Sequence, residues 1–361
     1  MAQGRGVFPR PFCNAAPLRQ ARSWATFPAQ ANHQRGTPAP MGSPILLSIF
    51  LGLFAVALHV WWYARKTSGI AQFAETMVPP TGKFVTVNGR KFHVEDRGKG
   101  RPVVFIHGLG GNLHHFDIPL WPSMGQGYRL IAIDRRGSGY SAQDWGDDGA
   151  LTTHARDIAA ILDELGVENA LYVGHSLGGA VALAAALTTP EKVAGLALVA
   201  PLTSFVPEVA PEFRPLYIRS PRLRKFLVHT YAIPAAVKAT EATLEFVFGP
   251  QNPPEDYAVG GAALTGVRPS HFYAASTDLV SIERDMPEIE ARVGEIRMPA
   301  AVLFGTADRV LDHRRHGLSM EKRLPGCEVR LLDGVGHMVQ YAAPEATANF
   351  IKSMAARALP A

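Results

Sequence analysis

Between an apolar run, Ala170–His175 (ALYVGH), and an Ala- and Leu-rich run, Leu177–Thr189, one serine stands with glycine two residues before it and two after it: Gly174-His175-Ser176-Leu177-Gly178. The first run reads as a short buried strand and the second as a helix, since Ala and Leu are strong helix formers. A loop that merely joins them has no need of glycine at both positions. A sharp turn that lifts one side chain out of a sheet does, because the two backbones then approach closely and the turn residue leaves the ordinary φ/ψ regions. Ser176 is therefore a candidate nucleophile on a strand-to-helix elbow. Such an elbow demands a sheet with helices packed beside it.

The flanking sequence supplies that sheet. KFVTV (Lys83–Val87) and KFHVE (Lys91–Glu95) alternate and are joined by Asn88-Gly89, a strong hairpin signal. Val103–His107, Leu130–Asp134, Gly195–Ala200 and Ala300–Gly305 are short apolar runs of the parallel-strand type, and Glu328–Leu332 closes the series. Helical stretches fall at His154–Val167, near His313–Leu324 and near Val339–Ala355. Strands alternating with helices imply an α/β fold: a mostly parallel sheet with helices on both faces and the hairpin at one edge. Pro201–Met298 breaks the rhythm, being helical in flavour, punctuated by proline and without a strong strand run. It reads as a helical cap inserted over the strand C-termini. The expected organisation is core over 83–200, cap over 201–298 and core again over 299–361.

Charge excludes one class of partner. The first 44 residues hold five arginines, no lysine and no acid, which accounts for the whole net charge of +5, so the body of the chain is neutral. A basic tail on a neutral body argues against nucleic-acid binding. The tail, rich in Pro, Gly and Gln, reads as disordered; its arginines also suit an organelle-targeting segment, and Met41 suits a later start. Ile45–Ala64 is then 20 residues without a formal charge, about 30 Å as a helix, which matches a bilayer core. Trp61, Trp62 and Tyr63 stand at its end, with Arg65 and Lys66 after them, as an aromatic belt and a basic flank would. The run is long for a signal-peptide core and its bulky end offers no small-residue cleavage site. A retained single-pass membrane anchor over 45–64 is expected, with 65–82 as a linker. The five tail arginines favour export of the catalytic domain, whereas a start at Met41 would leave Arg65 and Lys66 to hold it in the cytoplasm.

A serine hydroxyl needs a base, and the base needs an orienting acid. In the order Ser, Asp, His, an acid should follow a later strand and a histidine a later one still. Asp308 follows the strand Ala300–Gly305, with Asp312 a nearby competitor. His337, in DGVGHM, lies between the last strand and the last helix. Acyl transfer also needs donors for a developing oxyanion. The backbone N–H of Leu177, at a helix N-terminus, is one, and that of Leu109, in the HGLGG loop after Val103–His107, is the natural second. Two cysteines, Cys13 and Cys327, give neither a disulfide framework nor a metal-type spacing. His313 and His316 form H-x-x-H, but Arg314 and Arg315 between them disfavour a cation, and a solvated helix face is expected there instead. No cofactor or metal is expected.

HGLGG, DRRGSGYS (Asp134–Ser141), GHSLGG, GTADRV and GVGHM together resemble the α/β-hydrolase superfamily in its capped esterase/lipase-like branch, over about Lys83–Ala355. The resemblance implies Ser176 as nucleophile, His337 as base, Asp308 as orienting acid and Leu109 and Leu177 as backbone donors, with DRRGSGYS as scaffold and His175 as packing or pocket wall. It implies a serine hydrolase acting on a small-molecule or lipid carboxylic ester. A cofactor-free haloperoxidase or a carbon–carbon bond hydrolase keeps the same triad and stands as the alternative. Dehalogenases and epoxide hydrolases place Asp where Ser176 stands. A non-catalytic binding module would be free to lose the triad, whose members are all present.

Overall fold

A computed structural model describes residues 44–360. The basic tail expected over 1–44 lies, but for Pro44, outside the described residues. Helix α1 spans Pro44–Met77, 34 residues and about 51 Å. It is long and apolar enough to cross a membrane, and its side chains from Ile45 to Trp62 are largely exposed.

The linker expected over 65–82 is helical as far as Met77. Nothing in RKTSGIAQFAETM breaks a helix: proline is absent until Pro79, and Ala, Gln, Glu and Met propagate it. One face of this stretch docks on the body of the protein. Thr67 and Ala74 are buried, and Ile70 packs against the cluster formed by Val228, Ile233, Phe272 and Tyr273. The spacing 67, 70, 74 is that of a helical stripe. Thr67 Oγ1 donates to the Thr230 carbonyl (2.6 Å), and Glu75 pairs with Arg268 (2.8 Å).

Eight strands follow: β1 (Lys83–Val87), β2 (Arg90–Gly98), β3 (Arg101–Ile106), β4 (Tyr128–Ile133), β5 (Ala170–His175), β6 (Val193–Val199), β7 (Ala300–Gly305) and β8 (Glu328–Leu332). They form one sheet in the order β1-β2-β4-β3-β5-β6-β7-β8. β1 and β2 pair antiparallel with each other, β2 pairs antiparallel with β4, and every pairing from β4 to β8 is parallel. Asn88 and Gly89 both take positive φ (50° and 76°) in the first hairpin, as an Asn-Gly turn of this type requires. β5 and β7 are buried along their whole length, which is why they read as unbroken apolar runs.

The sheet is covered by α2 (Leu151–Glu164), α3 (Leu177–Thr188) and, at the end of the chain, Pro344–Ala358. Between β6 and β7 lie α4 (Pro221–Val228), α5 (Ala232–Phe248) and α6 (Pro269–Arg292), and no strand among the described residues. The final helix, α7 (Pro344–Ala358), is shorter than the single helix from Val339 that the sequence suggests. Pro344 breaks that stretch, leaving a separate short turn over Val339–Ala342. Because β3 to β8 run parallel, the loops after β3, β5, β7 and β8 gather at one edge of the sheet, where α/β folds carry their crevices.

Candidate active site

The elbow is built as its glycines require. Ser176 has φ 55° and ψ −121°, a conformation an L-residue holds only when its surroundings impose it. Its N–H donates to the Val199 carbonyl (3.2 Å), and its carbonyl accepts from Gly179 and Leu202 (both 2.9 Å). A Cβ on Gly174 would lie 2.4 Å from the Gly178 carbonyl oxygen, and one on Gly178 would lie 2.0 Å from that of Ile106. The loop after β3 passes equally close, since a Cβ on Gly108 would sit 2.9 Å from Cβ of Ser176. Leu109 and Leu177 therefore flank the serine, and all three line one cavity of about 790 Å³.

His337 lines the same cavity and bonds through Nδ1 to Oδ2 of Asp308 (2.7 Å). The Asp308 side chain is fully sequestered, and its other oxygen accepts from the N–H groups of Val310 (2.7 Å) and Leu311 (2.9 Å). Asp312 is occupied otherwise: Oδ1 accepts from the backbone of Arg314 (2.6 Å) and Arg315 (3.3 Å), and the first of these bonds leads in holding its carboxyl below the ordinary range. Of the two candidate acids, only Asp308 meets the histidine. His175 lines the cavity and donates from Nε2 to the His337 carbonyl (3.1 Å), steadying that loop. Burial, then the nearby His337, keeps His175 well below the ordinary histidine range and so neutral.

The solvated helix face expected at His313 and His316 is not what forms. The segment Arg314–Leu318 is a π-turn, and His316 is buried, accepting from the Thr203 N–H at Nδ1 (3.2 Å). Burial, followed by Arg315, lowers its pKa to about 4.

A second set of residues fixes the loop after β3. Arg135, fully buried, donates from Nε to the His107 carbonyl (3.2 Å) and from Nη2 to the Gly108 carbonyl (3.0 Å). Its Nη1 meets Oδ2 of Asp278 on α6 (2.6 Å), whose other oxygen bonds His154 (2.9 Å). Burial opposes the charge on Asp278, but Arg135 and His154 prevail and hold its carboxyl below the usual range. Two further residues of α6 bind the core. His271 Nδ1 accepts from the Gly139 N–H (2.9 Å), and Asp285 accepts from the Leu151 N–H (2.8 Å). The neighbouring stripe of α6, with Phe272, Ala275, Leu279 and Ile282, lines the cavity. The scaffold role expected of DRRGSGYS thus takes a definite form: its Arg135 clamps the carbonyls beside the Leu109 N–H. Asp278 had no local signal, since its partner lies 143 residues away.

An elbow serine, a histidine–carboxylate pair and a glycine-rich loop around one apolar cavity form an arrangement suited to acyl transfer. The model of the α/β hydrolase fold matches residues 101–344. The chain belongs to the α/β-hydrolase family. Among curated relatives it is 27% identical over 269 residues to a 2-hydroxy-6-oxo-6-phenylhexa-2,4-dienoate hydrolase of Burkholderia cepacia, covering 72% of this chain and 91% of that one. A 2-hydroxy-6-oxononadienedioate/2-hydroxy-6-oxononatrienedioate hydrolase of Comamonas testosteroni is also 27% identical, with the same coverage. Among solved structures, a membrane phospholipase A described as a bacterial virulence factor superposes with a TM-score of 0.62 at 23% identity, over 88% of this hydrolase and 99% of that chain. An esterase from Exiguobacterium antarcticum superposes at 0.60 and 22% identity, over 76% and 99%.

Proposed function

We propose that this hydrolase is a membrane-anchored serine enzyme that cleaves a carboxylic ester through an acyl-enzyme on Ser176. The observation that carries the reading is the 2.7 Å His337–Asp308 bond beside an elbow serine in one apolar cavity. In the first step Oγ of Ser176 attacks the ester carbonyl while Nε2 of His337 takes its proton, and Asp308 holds the Nδ1–H and steadies the imidazolium. The oxyanion is received by the N–H groups of Leu109 and Leu177, the latter at the N-terminus of α3. The imidazolium then protonates the departing alkoxide. Water, deprotonated by His337, attacks the acyl carbon, and the serine leaves with the proton returned. Ile45–Ala64 is the membrane span, and the apolar cavity favours an acyl group of some length.

The deciding experiment is fluorophosphonate labelling of the purified full-length protein, followed by turnover of esters of graded acyl length. Labelling at Ser176 with ester turnover supports the reading. Labelling without turnover of any ester would overturn it.

The curated relatives favour a second reading, hydrolysis of a carbon–carbon bond in a dienoate, using the same three side chains. Turnover of such a dienoate in preference to every ester would select it.

A further inference from the structure

Helix α4 buries Val228 on its inner face, yet it also hides a charge and displays an apolar pair. Arg224 is buried, at 3% exposure, with its guanidinium on the Ile218 carbonyl and the Thr277 hydroxyl. Leu223 and Phe226, one turn apart on the other side, are 49% and 45% exposed, and exposed Arg222 and Lys225 stand beside them. A soluble surface gains nothing from displaying the apolar pair while hiding the charge. The local sequence is basic: between Glu212 and Glu241 there are six Arg and Lys residues and no acid, of which Arg219 pairs with Glu283 (2.9 Å) and Arg224 is buried, leaving Arg222 and Lys225 beside the apolar pair.

The same surface continues onto α1. Phe226 packs on Tyr231 (6.2 Å between ring centres), and Tyr231 packs on Tyr63 (4.6 Å) and His59 (5.9 Å). Tyr63 closes the apolar run of α1, next to exposed Trp61 and Trp62 and to the bases Arg65 and Lys66. Two elements thus present one chemistry side by side: bulky apolar side chains with cations at their flank, as an interfacial helix does toward an anionic leaflet. Tyr231 also lines the cavity, together with Ala235 and Ala239 of α5, both of them exposed. The cavity lining therefore reaches exposed positions of α5, beginning at the residue that touches the apolar run of α1.

We infer that the α4 surface rests in the headgroup zone of an anionic bilayer and that the substrate is an acyl lipid drawn from that leaflet along α5. The inference rests on the serine-hydrolase and membrane-span reading above. Its occupant is a lipid surface: the exposed cations match anionic headgroups, and the patch is continuous with the apolar run.

The test uses the full chain reconstituted in vesicles of phosphatidylcholine, with and without phosphatidylglycerol. Leu223→Glu with Phe226→Glu should lower turnover of a bilayer-embedded fluorogenic ester at least about tenfold, because two carboxylates then replace the apolar side chains that enter the leaflet. Turnover of a water-soluble acetyl ester should stay within about twofold, because neither side chain lines the cavity. Arg222→Gln and Lys225→Gln should each remove about fivefold of the stimulation by phosphatidylglycerol. A fluorophore at Phe226→Cys, in a Cys13→Ser background, should be quenched by spin-labelled lipid. Equal loss on both esters, or no loss on either, would overturn the proposal. So would a label untouched by lipid but shielded by a second protein. Lipid quenching in a protein that turns over no ester would keep the membrane surface and sink the ester reading alone.

Discussion

The floor and the roof of the cavity are made of different material. The floor is the set of loops at the strand ends, with Gly108, Ser176 and His337 held by close backbone contacts that tolerate no Cβ or by bonds of 2.7 to 3.2 Å. The roof comes from the segment between β6 and β7, where the bulky residues Phe213, Tyr217, Tyr231 and Phe272 line the cavity. A floor of this kind fixes where charge develops. A roof of this kind fixes what fits. The chemistry of the enzyme should therefore respond to substitution in large steps and its substrate preference in small ones.

The largest step is expected at the proposed nucleophile. Ser176→Ala should cost on the order of 10⁶ in turnover, as loss of the nucleophile does in other triads, and abolish fluorophosphonate labelling with circular dichroism unchanged. A labelled alanine variant would move the nucleophile elsewhere. Next is the acid. Asp308→Asn should cost on the order of 10⁴ in kcat, whereas Asp312→Asn should stay within about tenfold, since Asp312 only caps a turn. The reverse ranking would break the assignment.

Asp278 tests the join between floor and roof. Asp278→Asn leaves the Arg135 guanidinium buried without its counter-charge, and should cost about 3–5 kcal/mol of stability in a urea titration. Where the variant still folds, kcat should fall more than KM rises, because the loop carrying the Leu109 N–H loses its clamp. A change in KM alone would make Asp278 a roof residue only.

Acid should act on the same region as well. Burial lowers His115 to about 3 and His271 and His316 to about 4, against about 6.5 in an unfolded chain. Between those values the unfolded chain binds more protons, so stability is full above pH 6.5 and is lost as pH falls toward 4, by about 1.4 kcal/mol per unit for each histidine. Melting temperatures from pH 7 to pH 4.5 would show it, and a flat profile would mean these imidazoles do not stay neutral. The smallest effect belongs to the roof: each added acyl methylene should raise kcat/KM about fourfold until the cavity is filled. An ester series without that slope would place the acyl chain outside the cavity.

The floor was legible in the sequence because its rules are local. A glycine at each side of Ser176, an acid just past β7 and a histidine just past β8 each declare themselves within a few residues. So did all eight strands, as short bounded runs that are apolar in the interior of the sheet and alternating in the first hairpin. What escaped depended on distant partners. The docking stripe at Thr67, Ile70 and Ala74 carries one small polar and one small apolar residue, and only the surface beneath it gives it meaning. Arg314 and Arg315 suggested a solvated helix, yet the backbone turns as a π-turn and tucks His316 under Thr203. Asp278 looked like any polar residue of an amphipathic helix until β4 placed Arg135 against it.

Three of the contacts of α6 with the core, at His271, Asp278 and Asp285, are seven residues apart each time. Seven residues make nearly two full turns, so the three lie in one line, about one-quarter turn from the stripe that faces the cavity. Adding or deleting a single residue within this helix would swing the part beyond it by about 100° and carry the remaining polar residues of that line away from their partners. In an enzyme built this way, α6 can be retuned by substitution but not by change of length. Insertions and deletions that reshape the binding space, in a laboratory library or in a lineage, should be tolerated better outside this helix, as between Pro201 and Val267.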